Sequence, residues 1–408
     1  MFSISLPSLQ GLWPSRSEKG VDIASVKIHD IQNAQERPAS SLRHLLKLNH
    51  ADNAVLYNGL RSQNQMSHVL SSSYLLGATQ HDLNRIYEVA GKDLEHWEES
   101  PSEVCSYDWR DFLGKRNYQQ AYINFFDDEL VRLGYDWRQV VHDYLLTGEK
   151  PLINSMMSDL GHPIIHLAYA YEMSSREMAT EALGLAATCY SDLHKYLEDP
   201  SYVQTEAAYH SASLFEILER VRADKSFDNL SDGHDGNTLD SVFQARESEL
   251  LGHWNAWKID DPIKQFRESQ ELAAALFVST TPKDSKTDTY SLLLVHVLTT
   301  SHAVRILLPF LPARFQLSLV RQWLLVTLAI YIAQLRPQID LDSIRSFNLE
   351  GRDWKSVAYT AVQGAHATDP HYLKAIRALR EAADTWGDPD QFYLKAAVQF
   401  AHEFSGWS

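Results

Sequence analysis

The chain has 408 residues, 44% hydrophobic and 22% charged, which is the composition of a globular protein with one large or two ordinary domains. Its formal net charge of −16 repels phosphate backbones and excludes nucleic acid as a natural partner. Two cysteines, Cys105 and Cys189, make no disulfide framework and fit a reducing, cytoplasmic compartment, and residues 1–20 lack the basic-then-apolar order of a signal peptide.

Residues 1–40 hold Pro7, Pro14 and Pro38 with little periodicity and read as an irregular arm. Residues 41–408 read as helical. Leu42, Leu45 and Leu46 begin an apolar stripe, with Ser40 or Ser41 as N-cap. A helix over Gln63–Leu76 stops at Gly77, and Thr79 caps the next, His81–Ala90, which ends at Gly91. The spacing predicts further helices over Tyr118–Leu133, Trp137–Leu146, a segment with Pro163 in its first turn running through Tyr171, Ser174–Tyr190 and Ser213–Arg222. Residues 227–238 (FDNLSDGHDGNT) read as an exposed loop, which either divides two domains or, as preferred here, interrupts a single bundle. Helices resume at Leu239. After the polar stretch Thr281–Thr289 comes the very apolar Tyr290–Leu308, ended by Pro309 and Pro312. Gln316–Gln334, Trp354–Gly364 and Pro370–Thr385 complete the set. The most apolar run, Trp323–Ala333, is shorter than the roughly 20 residues of a membrane span and reads as a core helix. β-Branched runs of period two are nearly absent. The expected fold is therefore all-α, a large multi-helix bundle. With 10 Trp and 19 Tyr available, it can enclose a buried central cavity for a flat ligand.

The chain lacks GxGxxG, GxxxxGK[ST], GxSxG, HExxH and CxxC. A Rossmann-type flavin or nicotinamide domain is thereby disfavoured, and any redox chemistry would use a directly bound metal or no cofactor. The strongest positive motif is Gly161-His162-Pro163-Ile164-Ile165-His166-Leu167-Ala168-Tyr169. His162 and His166 share one face, Tyr169 and Met173 continue it, and the other faces are apolar, so two imidazoles point into the interior. The spacing suits metal ligation, the alternative being two core histidines bonded to carbonyls. His296 stands alone in Leu292-Leu293-Leu294-Val295-His296-Val297-Leu298 and must find a partner. Asp369-Pro370 starts a helix carrying His371, Lys374, Arg377 and a small-residue face of Ala375, Ala378 and Ala382. Periodicity puts Lys374 at the helix edge, where a lysine is usually solvated. Buried, it would be neutral or carbamylated. His68, four residues before Ser72, is a weak candidate alone, and His44, His50, His234 and His253 are weaker still.

Together, over roughly residues 42 to 385, these segments resemble the questin oxidase-like family, linked to ring opening of anthraquinones and related polyketides. Its Asn-His-x-x-His-His-Leu run and Tyr-x-Leu-Gly-Ala stretch correspond to Asn64–Leu70 and Tyr74–Ala78, where His68 keeps one family histidine and Gln65 and Val69 replace two others. His162, Pro163, His166 and Leu167 match the His-Pro-x-x-His-Leu motif; His296 with Thr299 and Thr300, and His371 with Lys374, Arg377, Ala378 and Leu379, match two more. The resemblance implies an oxygenase of secondary metabolism acting on an aromatic polyketide, by ring cleavage or Baeyer–Villiger-type insertion, with dioxygen as co-substrate. Its implied centre is non-haem Fe(II) held by His68, by His162 or His166 or both, by His296 and by a group from the last motif, with a carbamate on Lys374 preferred over His371 as that group. Tyr169 and His371 are the expected catalytic side chains. A requirement for NADPH is left open. Two other readings remain: a metal-free oxygenase with His371 or His166 as general base, and a non-catalytic helical ligand carrier.

Overall fold

A computed structural model describes residues 20–148, 150–203, 207–228, 230, 238–280 and 289–408. It is 66% helix and 3% strand, so the all-α expectation holds. Most of the segment expected to be an exposed loop at 227–238, and nearly all of the polar stretch before Tyr290, lie outside the described residues. The helices on either side of both gaps contribute to one buried apolar core that runs in sequence from Val21 to Phe404.

Helix boundaries follow the sequence punctuation closely. Thr79 accepts from the Asp82 amide while the Asp82 carboxylate accepts from the Thr79 amide, a reciprocal cap that starts Gln80–Ala90. Asp369 accepts from the His371 and Tyr372 amides at the start of Pro370–Trp386. Three expectations need correction. The first helix is Arg37–Asp52, not one capped at Ser40 or Ser41, because Pro38 sits in its first turn, where a missing amide donor costs nothing. The second is Met66–Leu75, since Ser62–Gln63 pairs antiparallel with Leu56–Tyr57 before it. Leu292–Phe310 and Ala313–Ala333 are both long and apolar enough to cross a membrane, contrary to the short-run expectation; 83% and 72% of their windows are buried inside the protein, as in core helices. Two long helices went unnamed in the sequence, Pro262–Ser279, which starts with the same Asp-Pro signal at Asp261-Pro262, and Phe392–Glu403, as did the short Lys195–Glu198, Pro200–Val203 and Leu341–Arg345.

Four helices form a closed ring of neighbours. Met66–Leu75 packs on His162–Met173, which packs on Leu292–Leu307, which packs on Pro370–Trp386, which returns to Met66–Leu75. Each carries one of the motifs above. All twelve residues of His162–Met173 are buried, as its all-round apolar character requires. Arg176–Thr188 lies behind that helix and is backed in turn by Gln119–Arg132.

Candidate metal centre

The ring places His162, His296 and His371 together, with one potential ligand atom from each lying within 4.8 Å of the others. The ring centroids of His162 and His296 are 4.8 Å apart, and those of His296 and His371 are 5.0 Å apart. Two of the three imidazoles are oriented by the backbone. His162 Nδ1–H donates to the Asp159 carbonyl at 2.7 Å, and His296 Nδ1–H donates to the Leu160 carbonyl at 3.0 Å. Each neutral ring thereby keeps its lone pair on Nε2. His162 Nε2 is buried without a partner. A ligand nitrogen left bare in the interior while the other nitrogen is tied to a carbonyl is the arrangement that metal-binding histidines adopt.

The two carbonyls are turned inward by three consecutive left-handed residues, Asp159 (φ 53°), Leu160 (φ 56°) and Gly161 (φ 76°). Left-handed backbone at non-glycine residues is strained and persists only when its surroundings impose it. Here the Asp159 carboxylate is anchored by Arg116 at 3.0 Å, by the Cys189 thiol at 3.2 Å and by the Gln63 amide. Burial opposes its ionisation, but the Arg116 guanidinium holds it below the usual carboxylate range. Only Gly161 announces such a turn in the sequence. A Cβ there would lie 2.4 Å from Thr300 Cγ2, so the Leu292–Leu307 helix approaches closely at this point.

Lys374 is 1% exposed, not solvated at the helix edge. Its Nζ donates to Gln65 Oε1 at 2.6 Å, and Gln65 Nε2 lies 3.0 Å from His371 Nε2. Gln65 thus bridges Lys374 and the third histidine, while His371 Nδ1 is buried without a partner. Burial pushes the Lys374 ammonium down to about 7. Burial, reinforced by the charge of Lys374, lowers His162 to about 4 and holds His68, His296 and His371 well below the usual imidazole range. At neutral pH the cluster is therefore a set of neutral imidazoles, the protonation state a metal requires.

The three remaining sequence candidates, His68, His166 and Tyr169, lie outside the trio. His166 has both nitrogens engaged: Nδ1 lies 3.1 Å from His68 Nε2, and Nε2 donates to Glu181 Oε2 at 2.7 Å. His68 Nδ1 is buried with no partner. Tyr169 stacks on His68 with centroids 5.3 Å apart, and its hydroxyl is 2.6 Å from Ser72 Oγ. Burial raises its pKa, so it is a neutral phenol.

The structure adds residues that sequence reading missed. Glu181 is 2% exposed and takes hydrogen bonds from His166 and from His50 Nδ1 at 2.9 Å; His50 Nε2 in turn bonds Asp127 at 3.0 Å. Burial works against ionisation of Glu181, but the bonds from His166 and His50 hold it at about 2. Burial likewise opposes the charge on His50, and Asp127 and Glu181 lift it to about 10. Glu181, like Glu177, is an acid in a helix buried along its whole length apart from Arg176, the same signal of a polar side chain in a buried stretch that singled out His296. Further along the paired-histidine helix, Glu172 takes a 2.7 Å salt bridge from Arg377, and both are buried. Surface hollows of about 590 Å³ at Leu146 to Phe315 and about 400 Å³ at Glu219 to Arg336 touch none of these histidines, so neither is the expected central cavity.

Comparison with known proteins agrees with the resemblance. Residues 62–379 match the family described as questin oxidase-like. The chain is 24% identical over 374 residues to a questin oxidase of Aspergillus terreus, covering 86% of this chain and 82% of that protein. It is 24% identical over 412 residues to the Baeyer-Villiger oxidase mdpL of Emericella nidulans (92% and 90% covered), and 23% over 374 residues to the oxidoreductase AflY of Aspergillus parasiticus (86% and 74%). All four helices of the histidine ring fall in the matched region or overlap it, and the chain belongs to the questin oxidase-like family.

Proposed function

We propose that this protein is an oxygenase of aromatic polyketide metabolism that opens, or inserts oxygen into, an anthraquinone-like ring at a non-haem iron centre held by His162, His296 and His371. The observation that carries the reading is the trio itself: three histidines from three helices, two buried and one partly buried, with the two buried ones held in the tautomer that leaves Nε2 bare. His68, whose Nδ1 is unpartnered, and Lys374, which shares Gln65 with His371, would be the further donors. Bound there, Fe(II) would supply the one-electron reactivity toward dioxygen that a closed-shell aromatic ring lacks. The relatives' names carry the substrate class.

The chain's own residues have separate tasks. The Asp159 and Leu160 carbonyls orient two ligands. The Tyr169 phenol, held by Ser72, is a donor for a phenolate or carbonyl oxygen of the substrate. His166 has both nitrogens committed and orients His68. Lys374 is held near neutrality at ordinary pH. A neutral amine adds carbon dioxide to give an N-carboxylate and releases one proton, whose anionic oxygen would bring the cluster its only negative ligand. His371 is then a ligand as well as, in the metal-free reading, the general base. That second reading draws on the same histidines, since His162 Nε2 and His68 Nδ1 are buried without a hydrogen-bond partner.

Anaerobic reconstitution with Fe(II) followed by elemental analysis separates the two. About one iron per chain that disappears in His296→Ala supports the metal centre. Turnover of a hydroxyanthraquinone by metal-free protein supports the base mechanism instead.

A further inference from the structure

Five helices contribute one side chain each to a hydrogen-bonded line that runs from the protein surface to His68. Asp127, whose side chain is 38% exposed, accepts from His50 Nε2 at 3.0 Å. His50 Nδ1 donates to Glu181 Oε1 at 2.9 Å, His166 Nε2 donates to Glu181 Oε2 at 2.7 Å, and His166 Nδ1 meets His68 Nε2 at 3.1 Å. Ser67 Oγ adds a donor to Glu181 Oε2 at 3.3 Å. The line ends at His68 Nδ1, which is buried and bonded to nothing.

We propose that Asp127, His50, Glu181 and His166 form a relay whose role is to fix the tautomer of His68, so that Nδ1 presents a lone pair to the metal centre. The direction of the line follows from its chemistry. A carboxylate only accepts, so Glu181 demands Nε2–H from His166. With its Nε2–H given to Glu181, a singly protonated His166 keeps its lone pair on Nδ1 and accepts from His68 Nε2–H. His68, with its one proton placed on Nε2, has Nδ1 bare. His50 serves as the counter-charge that lets a carboxylate stay ionised in the interior, and Asp127 holds His50 in place from the surface side. The turn at Asp159–Gly161 does the same work for His162 and His296 with backbone carbonyls, whereas His371, through Gln65, and His68, through this line, are held by side chains. These are positioning residues, and the proposal rests on the reading that His68 belongs to the metal centre.

The relay is tested in the metal-free protein by nitrogen-15 NMR of histidine-labelled chain, with the His68 signals assigned from His68→Gln. The relay predicts a pyridine-type Nδ1 and a protonated Nε2 for His68, and the same pattern for His166. A proton on His68 Nδ1 would overturn it. In a second measurement, cobalt(II) is titrated into wild type and Glu181→Gln, each first shown to have wild-type circular dichroism. Replacing the obligate acceptor with an amide, which also donates, frees His166 to reverse its tautomer. Cobalt affinity should then fall roughly 10- to 100-fold, with a changed visible spectrum. Unchanged affinity and spectrum in Glu181→Gln would contradict the relay. If wild type itself takes up no cobalt, the metal reading falls, while the tautomer of His68 still decides the relay.

Discussion

Lys374 allows the sharpest energetic prediction. It is fully enclosed, with one hydrogen bond, to Gln65, and burial lowers its pKa from 10.5 to about 7. The sign follows from proton counting. Between about pH 7 and 10.5 the unfolded chain keeps the proton that the folded chain has lost, so stability attributable to this residue rises with pH across that window. Below about pH 7 both states carry the charge, and the folded state bears the whole desolvation cost. The drop from 10.5 to about 7 corresponds to on the order of 5 kcal/mol at about 1.4 kcal/mol per pH unit. Lys374→Met keeps the shape and removes the charge. In metal-free protein and buffer free of carbon dioxide, the variant should be more stable than wild type at pH 6 to 7 by several kcal/mol. About 1 kcal/mol is subtracted for the lost bond to Gln65. That advantage should shrink steadily to pH 10.5. Urea unfolding of both proteins at half-unit pH steps measures it. A difference between the two curves that stays flat within about 0.5 kcal/mol from pH 7 to 10.5 would refute the buried, depressed lysine, because a solvated ammonium gives no such slope.

Other expectations follow from the same contacts. Lys374 exposed to carbon-13 bicarbonate should give a carbamate resonance by NMR that Lys374→Arg lacks; a resonance unchanged in the variant would assign it elsewhere. Gly161→Ala must hold φ at +76° and place a methyl against Thr300, so it should lose about 2–5 kcal/mol of stability by denaturant midpoint. A near-neutral result would mean the turn relaxes freely. Glu172→Ala leaves the Arg377 guanidinium buried without its 2.7 Å partner and should cost about 3–5 kcal/mol, unless calorimetry finds wild-type melting. Tyr169→Phe leaves Ser72 Oγ unpaired and should lower turnover more than it lowers melting temperature, whereas equal loss of both would make Tyr169 a packing residue only.

Local signals were legible in the sequence because they act over a few residues. Caps, prolines and glycines set the helix ends, and a polar residue inside an apolar stretch marked His162, His166 and His296 as buried. The family motif added His371 and Lys374, and the buried Lys374 shows tertiary enclosure overriding helix-edge periodicity. Which histidines meet could not be read from periodicity, since the ring is closed by contacts between residues as far apart as Gln65 and Lys374. Periodicity also missed His50, which sits at an unremarkable helix end and gains its role from Glu181 and Asp127 on two other helices. The left-handed Leu160 carries no sequence mark, because leucine rarely adopts that conformation, and Asp159, a type that tolerates it better, is not marked by that alone.

The central claim is that His162, His296 and His371 hold one redox-active metal. Iron content after anaerobic Fe(II) loading and desalting, compared between wild type and His296→Ala with matched circular dichroism, tests it most directly. The account predicts about one iron per wild-type chain and essentially none in the variant. Wild-type protein that retains no metal yet turns over its aromatic substrate with dioxygen would contradict it.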